Sequence, residues 1–299
     1  MMIGLQTSPI VHSLRHIADE ILAIARAAQE QLNSSERSTA IHDLRVALKR
    51  WQALLRLLEK PIGQDAVTLR HEARLLARAL SRSRDAQTVL DALADMAKPK
   101  DAGMPLSERT KATITQRLLE MRDLSEATQI NGETVQRLHD GLAVMSACLA
   151  SWPLERIPFQ DVVKALARSY RRAHRRLPRE WEKADPEDIH DFRKAVVTLR
   201  YQLDLMTPLW PKVWRVFIDE AQKLRMQLGR SDDLAALSVL TQPKQPLAHW
   251  RSRLTPLIES RRRSHLHSAR SLGGRMFAEQ PRSFRKRIEA LADAAAKTA

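Results

Sequence analysis

The stretch IHDLRVALKRWQALLRLLEK, residues 41–60, has a weaker copy 148 residues further on, IHDFRKAVVTLRYQLDLMTP, residues 189–208. The match runs without a gap from Ile41–Asp85 onto Ile189–Asp233 and holds 14 identities in 45 positions, among them His42/His190, Asp43/Asp191, Arg45/Arg193 and Asp85/Asp233. An ungapped self-match of that length points to internal duplication, so whatever the first half builds the second half must build again. The punctuation repeats too: Pro9 answers Pro158 within a residue, and the Asn131-Gly132 break answers Gln280-Pro281. Two repeats, about 8–150 and about 157–297, therefore meet near Trp152-Pro153 within one domain spanning 1–299.

Eight glycines and an aromatic share of 4% argue against a sandwich or barrel, while Leu, Ala, Arg, Gln and Glu dominate, residues that lose little on entering a helix. The expected fold class is all-α. Apolar periodicity and breaks place helices at about 9–32, 39–60, 64–82, 85–97, 107–128 and 133–150, then 158–177, 186–207, 212–228, 233–241, 247–272 and 281–297. Ser8-Pro9 and Asp185-Pro186 each set a capping oxygen before a proline whose missing N–H costs nothing in a first turn. Gly229 suits a left-handed stop, and KPKDAGMP and QPKQP read as short internal breaks. The lone Cys148 sits in an apolar stretch and reads as a small core residue. No signal peptide and no run of apolar residues long enough for a membrane span are visible, so a soluble cytoplasmic protein with no membrane partner is expected.

The duplicated helix carries two stripes. Ile41, Leu44, Leu48, Trp51, Leu55 and Leu58 form an apolar face that seals it to a core, and His42, Arg45, Lys49, Gln52 and Arg56 form a polar row about a quarter turn away. In the copy, Ile189, Phe192, Val196, Leu199, Leu203 and Met206 repeat the apolar face, while His190, Arg193 and Arg200 keep three places of the row and Val197 replaces a cation. Cations at i,i+4 repel one another, so such a row implies a facing anion or carboxylates from a neighbour. Fifty Lys and Arg against 35 Asp and Glu give a formal charge of +15, which favours a polyanionic partner. Further basic runs lie at Arg70–Arg84, Arg168–Arg176, Arg261–His265 and Phe284–Arg287; a solvated helix face explains any one of them equally well.

These residues resemble the CHAD family, helical domains named for their histidines, in which each of two homologous halves carries His-x-x-Arg-x-x-x-Lys/Arg-Arg on a long helix. His42, Arg45, Lys49 and Arg50 match that pattern; His190 and Arg193 match in the second half, where Val197 and Thr198 stand in place of the basic pair. SRSRDAQTVL and GRSDDLAALS resemble the family's Arg/Asn-Asp helix starts, the second imperfectly through Asp232-Asp233, and RMFAEQPRSFRKRI is similar to its closing segment. The resemblance covers almost the whole chain. It implies two homologous antiparallel helical bundles related by a pseudo-two-fold axis, with a basic central groove that binds inorganic polyphosphate. The expected contacts are His42, Arg45, Lys49, Arg50, His190, Arg193 and Arg200, with Arg26, Arg78, Arg82, Arg171, Arg172 and Arg175 on neighbouring helices. The histidines would donate to phosphate oxygens or orient the arginines, or simply pack at helix starts.

On this reading the protein binds without catalysis, needs no cofactor and no metal, and has polyphosphate granules as a further partner and location. Two other readings stay open. A phosphate-handling enzyme would fit the triphosphatases of the CYTH type to which CHAD domains are fused, but their Glu-x-Glu-x-Lys signature is only approached by EWEKA at Glu180–Ala184, and no P-loop is present. A non-specific nucleic-acid-binding protein would use the same charge; weak binding of nucleic acid at low salt is expected in any case, although no known nucleic-acid motif appears and the six tryptophans fall mostly in apolar phases. Zinc through His12 and His16, or through His265 and His267, would lack two of four ligands. A phosphohistidine relay through His42 would lack an activating base.

Overall fold

Asp185 starts its helix as the Asp-Pro pair predicts: its Oδ1 accepts the Glu187 N–H at 2.8 Å while Pro186 fills the first turn. The computed structural model describes the backbone of residues 9–80, 82–96, 106–127 and 132–298 and the side chains of 14–80, 87–96, 106–123 and 132–294. Its α-helices are α1 (Pro9–Glu30), α2 (Arg37–Ile62), α3 (Gln64–Ala79), α4 (Arg82–Met96), α5 (Glu108–Ala127), α6 (Gly132–Ser151), α7 (Phe159–Arg176), α8 (Pro186–Leu203), α9 (Pro211–Leu240), α10 (Arg251–Met276) and α11 (Pro281–Thr298). Among the described residues there is no strand, and no helix long and apolar enough to cross a membrane. Ser8, Asn131 and the KPKDAGMP break lie outside the described residues; QPKQP forms the turns between α9 and α10, where Lys244 takes a left-handed φ of 68°.

The pairing of helices recurs along the chain. Helix α2 packs on α1 and α3, and α8 packs on α7 and α9; α6 returns to α1 as α11 returns to α7. All twelve residues of the two apolar stripes are buried. The two duplicated helices lie against each other, and Gln202 Nε2 of α8 donates to the Ala53 carbonyl of α2 at 2.9 Å.

Two hydrophobic cores result, and each draws on both repeats. The larger is built around Trp51, Tyr170, Phe192, Trp214 and Phe284. The smaller joins Val89, Leu93, Ile114 and Leu118 of α4 and α5 to Leu234, Leu237, Leu254 and Ile258 of α9 and α10. Cys148 is partly buried against the larger core.

Gly229 departs from expectation. It ends no helix: α9 runs through it unbroken. A Cβ there would lie 3.2 Å from Arg193 Nη2, so this glycine makes room for a side chain of α8 and is not the left-handed terminus its local context suggests. At the end of α8 the chain tightens into a 3-10 turn over Asp204–Leu209, with Pro208 inside it, where a continued α-helix was expected.

Candidate anion-binding surface

Helix α2 holds its polar row between α3 and α7, because the apolar stripe a quarter turn away is committed to the larger core. Arg45 Nη1 donates to the Ala77 carbonyl of α3 at 3.1 Å, which fixes the guanidinium across the α2–α3 seam. His42 is exposed and Lys49 half-buried. Arg50, one residue off the row, turns instead to α1, where its Nη2 donates to Glu20 Oε1 at 3.3 Å.

The row ends in a cluster of four arginines drawn from both repeats: Arg56 of α2, Arg70 of α3, and Arg172 and Arg176 of α7. Arg70 is paired with Glu59, and Arg176 donates to Asp191 Oδ2 at 3.1 Å. Among the described residues neither Arg56 nor Arg172 has a hydrogen bond or an ion pair. Burial, then the repulsion of Arg172 and Arg70, pushes the Arg56 guanidinium down to about 10, against the pull of Glu59. Arg172 is pushed down as well, by burial and then by Arg176. Glu59 acts on both guanidinium groups and Asp191 on Arg172, yet repulsion between like charges remains, which an external anion would relieve, and guanidinium groups suit phosphate geometry. Arg172 was expected at the site. Arg56 was recognised only as part of the row, and Arg70 and Arg176 only as members of basic runs.

The second row is arranged differently. His190 Nδ1 donates to Asp232 Oδ2 at 3.0 Å, and Arg193 Nη1 donates to the same oxygen at 2.8 Å. The Arg193 guanidinium lies flat against α9 at Gly229. Val197 and Thr198 add no charge, and Arg200 sits 4.9 Å from the centroid of the Tyr201 ring. Both duplicated helices meet at Asp204, whose carboxyl is raised by burial and lowered by Arg200 and Arg50.

The remaining expected contacts scatter. Arg26 donates to Ser146 Oγ across the α1–α6 seam, and Arg78, Arg171 and Arg175 are exposed. The side chain of Arg82 lies outside the described residues, as do those of Arg84, Asp85 and His12. The EWEKA stretch lies in the turns between α7 and α8, with Trp181 buried.

Part of the Arg261–His265 run is not a solvated face. Arg261 and His265 are buried where α10 crosses α4: Arg261 donates to both Asp95 oxygens at 3.0 and 3.2 Å, and His265 Nε2 lies 2.6 Å from Asp95 Oδ2 while its Nδ1 lies 2.7 Å from Gln227 Oε1. With both ring nitrogens engaged, His265 does not pair with the exposed His267 as a chelate. Burial alone would raise the Asp95 carboxyl, but the hydrogen bonds from Arg261 and His265 outweigh it and hold it down to about 2. A cavity of about 320 Å³ beside this network is lined by Asp91, Asp95, Asp233 and Arg230, with Ala92 and Ala94, and includes none of the expected phosphate contacts. Among the described residues no three His, Cys, Asp or Glu side chains are gathered to hold a metal ion.

A family model described as the CHAD domain matches residues 16–242. The crystal structure of the CHAD domain from the plant Ricinus communis superposes with a TM-score of 0.59 at 17% sequence identity, covering 97% of this chain and 95% of that one, a likeness of fold alone. No curated protein sequence matches the chain.

Proposed function

Because the chain belongs to the CHAD domain family, we propose that it binds inorganic polyphosphate without catalysis, along the surface where α2 lies between α3 and α7. Polyphosphate binding is a known property of that family. The observation that carries the reading to this surface is the arginine cluster at the end of the α2 row, where Arg172 repels Arg56 and neither is hydrogen-bonded or ion-paired among the described residues. A linear phosphate chain has no bases to stack, so it calls for guanidinium and ammonium groups on rigid helices and needs few aromatic side chains. Arg45 and Lys49 line its path, and Arg78, Arg171 and Arg175 extend the positive field around it. Each contact contributes little alone; affinity comes from many of them and from released counterions.

The test is a titration at about 0.15 M salt, where charges farther apart than about 8 Å are largely screened. Long-chain polyphosphate is compared with single-stranded DNA of equal charge, for the wild type and for Arg45→Ala/Lys49→Ala. The expected result is polyphosphate binding that outlasts DNA binding as salt rises and collapses in the double variant. Equal, salt-labile binding of both polymers, indifferent to the substitutions, would reduce the surface to non-specific charge. Sustained release of phosphate from the polymer would overturn the non-catalytic part of the reading.

A further inference from the structure

The two copies of the duplicated segment should present equivalent charges, yet eight Lys and Arg positions of the first copy are not basic in the second. Two of the eight reverse the charge: the residues 148 positions after Arg56 and Arg84 are Asp204 and Asp232. Both carboxylates face cations: Asp204 lies beside Arg200 and Arg50, and Asp232 accepts from His190 and Arg193. The Asp232 side chain is 19% exposed, Arg193 23% and His190 43%, so this cluster sits at the surface yet is largely closed over. Its geometry is that of an occupied oxyanion site, with one oxygen taking two nitrogen donors at 3.0 and 2.8 Å. Gly229 completes the seat by letting the Arg193 guanidinium lie against the α9 backbone, one turn before the acid that binds it.

We propose that Asp232 is a built-in counter-ion that occupies the anion position of the second row, so that phosphate is bound on one side of the molecule only, along α2, α3 and α7. The chain thereby takes up a single run of polyphosphate across the arginine cluster, and the second row serves the fold. This deepens the polyphosphate reading and rests on it. Freeing the second row requires only that the carboxylate be neutralised, because His190 and Arg193 already converge on the point where Asp232 Oδ2 now sits.

The experiment titrates long-chain polyphosphate into the wild type, Asp232→Asn, Asp232→Glu and Asp219→Asn at a series of salt concentrations. Asp219 is exposed on α9 and has no ion pair among the described residues, so its variant makes the same change in net charge elsewhere. Asp232→Asn should bind about tenfold tighter, the effect of roughly one additional charge-assisted contact, with a salt slope steeper by about one. Asp232→Glu and Asp219→Asn should stay near the wild type. Loss of the shared carboxylate should also lower the melting temperature of Asp232→Asn, and saturating polyphosphate should raise it by more than in the wild type, a readout that any folded fraction supplies. If Asp232→Asn and Asp219→Asn behave alike while the wild type binds through Arg45 and Lys49, the built-in counter-ion is wrong and the polyphosphate reading survives. If no form binds polyphosphate, both fall. Binding by Asp232→Asn alone would support the counter-ion and overturn the assignment of the first row.

Discussion

At the scale of residues, the most buried charges are the ones most tightly tied to pH. Asp95 is held at about 2 against an ordinary 3.8, so its ionised form contributes stability above 3.8 that is lost as pH falls toward 2. The size is on the order of 2 kcal/mol, from 1.36 kcal/mol per unit of displacement. His265 acts in the same direction: burial, outweighing the attraction of Asp95, lowers it from 6.5, so the unfolded chain takes up its proton first as pH drops. Denaturant unfolding should therefore show stability falling below about pH 6.5 and again between about 4 and 2, and Asp95→Asn should be weaker at neutral pH with a flatter acid limb. An acid limb of equal slope in both proteins would refute the assignment. The network was partly legible beforehand. Leu254, Ile258, Arg261, His265, Ala269 and Leu272 share one helical stripe, so two charged types interrupt an apolar phase, which a solvated face does not do. The first cationic row was legible through the same periodicity. The carboxylate that closes the second row was not, because Asp232 meets His190 and Arg193 only once α9 lies on α8.

At the scale of elements, helix α10 has adjacent glycines in opposite surroundings. A Cβ at Gly273 would lie 2.8 Å from Leu177 Cδ1, 3.6 Å from Trp181 and 3.8 Å from Phe192, whereas one at Gly274 would meet nothing within 4 Å. A methyl at Gly273 must push aside the tip of the half-buried Leu177 side chain, so Gly273→Ala should gain less stability than Gly274→Ala, which should add up to about 1 kcal/mol from helix propensity alone. Denaturant midpoints measure both; equal shifts of one sign would mean that α10 does not cross as closely as the packing requires. The same contrast explains which helices could be read in advance. Where an apolar stripe and a cap coincide, as in the Asp185-Pro186 start of α8, boundaries follow from local chemistry. Gly229 misled because a glycine within a chain signals a turn locally, and the reason for this one lies in a side chain 36 residues earlier in sequence, Arg193.

At the scale of the whole molecule, the duplication announced two copies of one plan, but it did not say that the copies would share their cores. The smaller core takes Val89, Ala92, Leu93, Ile114 and Leu118 from the first repeat and Leu234, Leu237, Leu247, Leu254 and Ile258 from the second. These stripes are apolar at ordinary helical spacing, so nothing local distinguishes a helix that packs within its own repeat from one that packs across. The consequence is energetic. Exposing the four large side chains of the first half or the five of the second forfeits about 1.5–3 kcal/mol each, on the order of 10 kcal/mol. That is comparable with the 5–15 kcal/mol or so by which a whole domain is stable. The larger core adds to the loss, since Trp51 of α2 packs in the same cluster as Phe192 of α8 and stacks on Trp152 at a centroid distance of 6.2 Å. Either half, divided at Trp152-Pro153 and expressed alone, should therefore show helical circular dichroism without a cooperative melting transition, and mixing the two halves should restore a single transition. The arginine cluster depends on the same union, since Arg56 and Arg70 come from one half and Arg172 and Arg176 from the other, so polyphosphate affinity should return with the transition and not before it. A sharp, independent transition in either half would mean that the repeats are separate folding units and that the surface between α2, α3 and α7 is an interface of two domains.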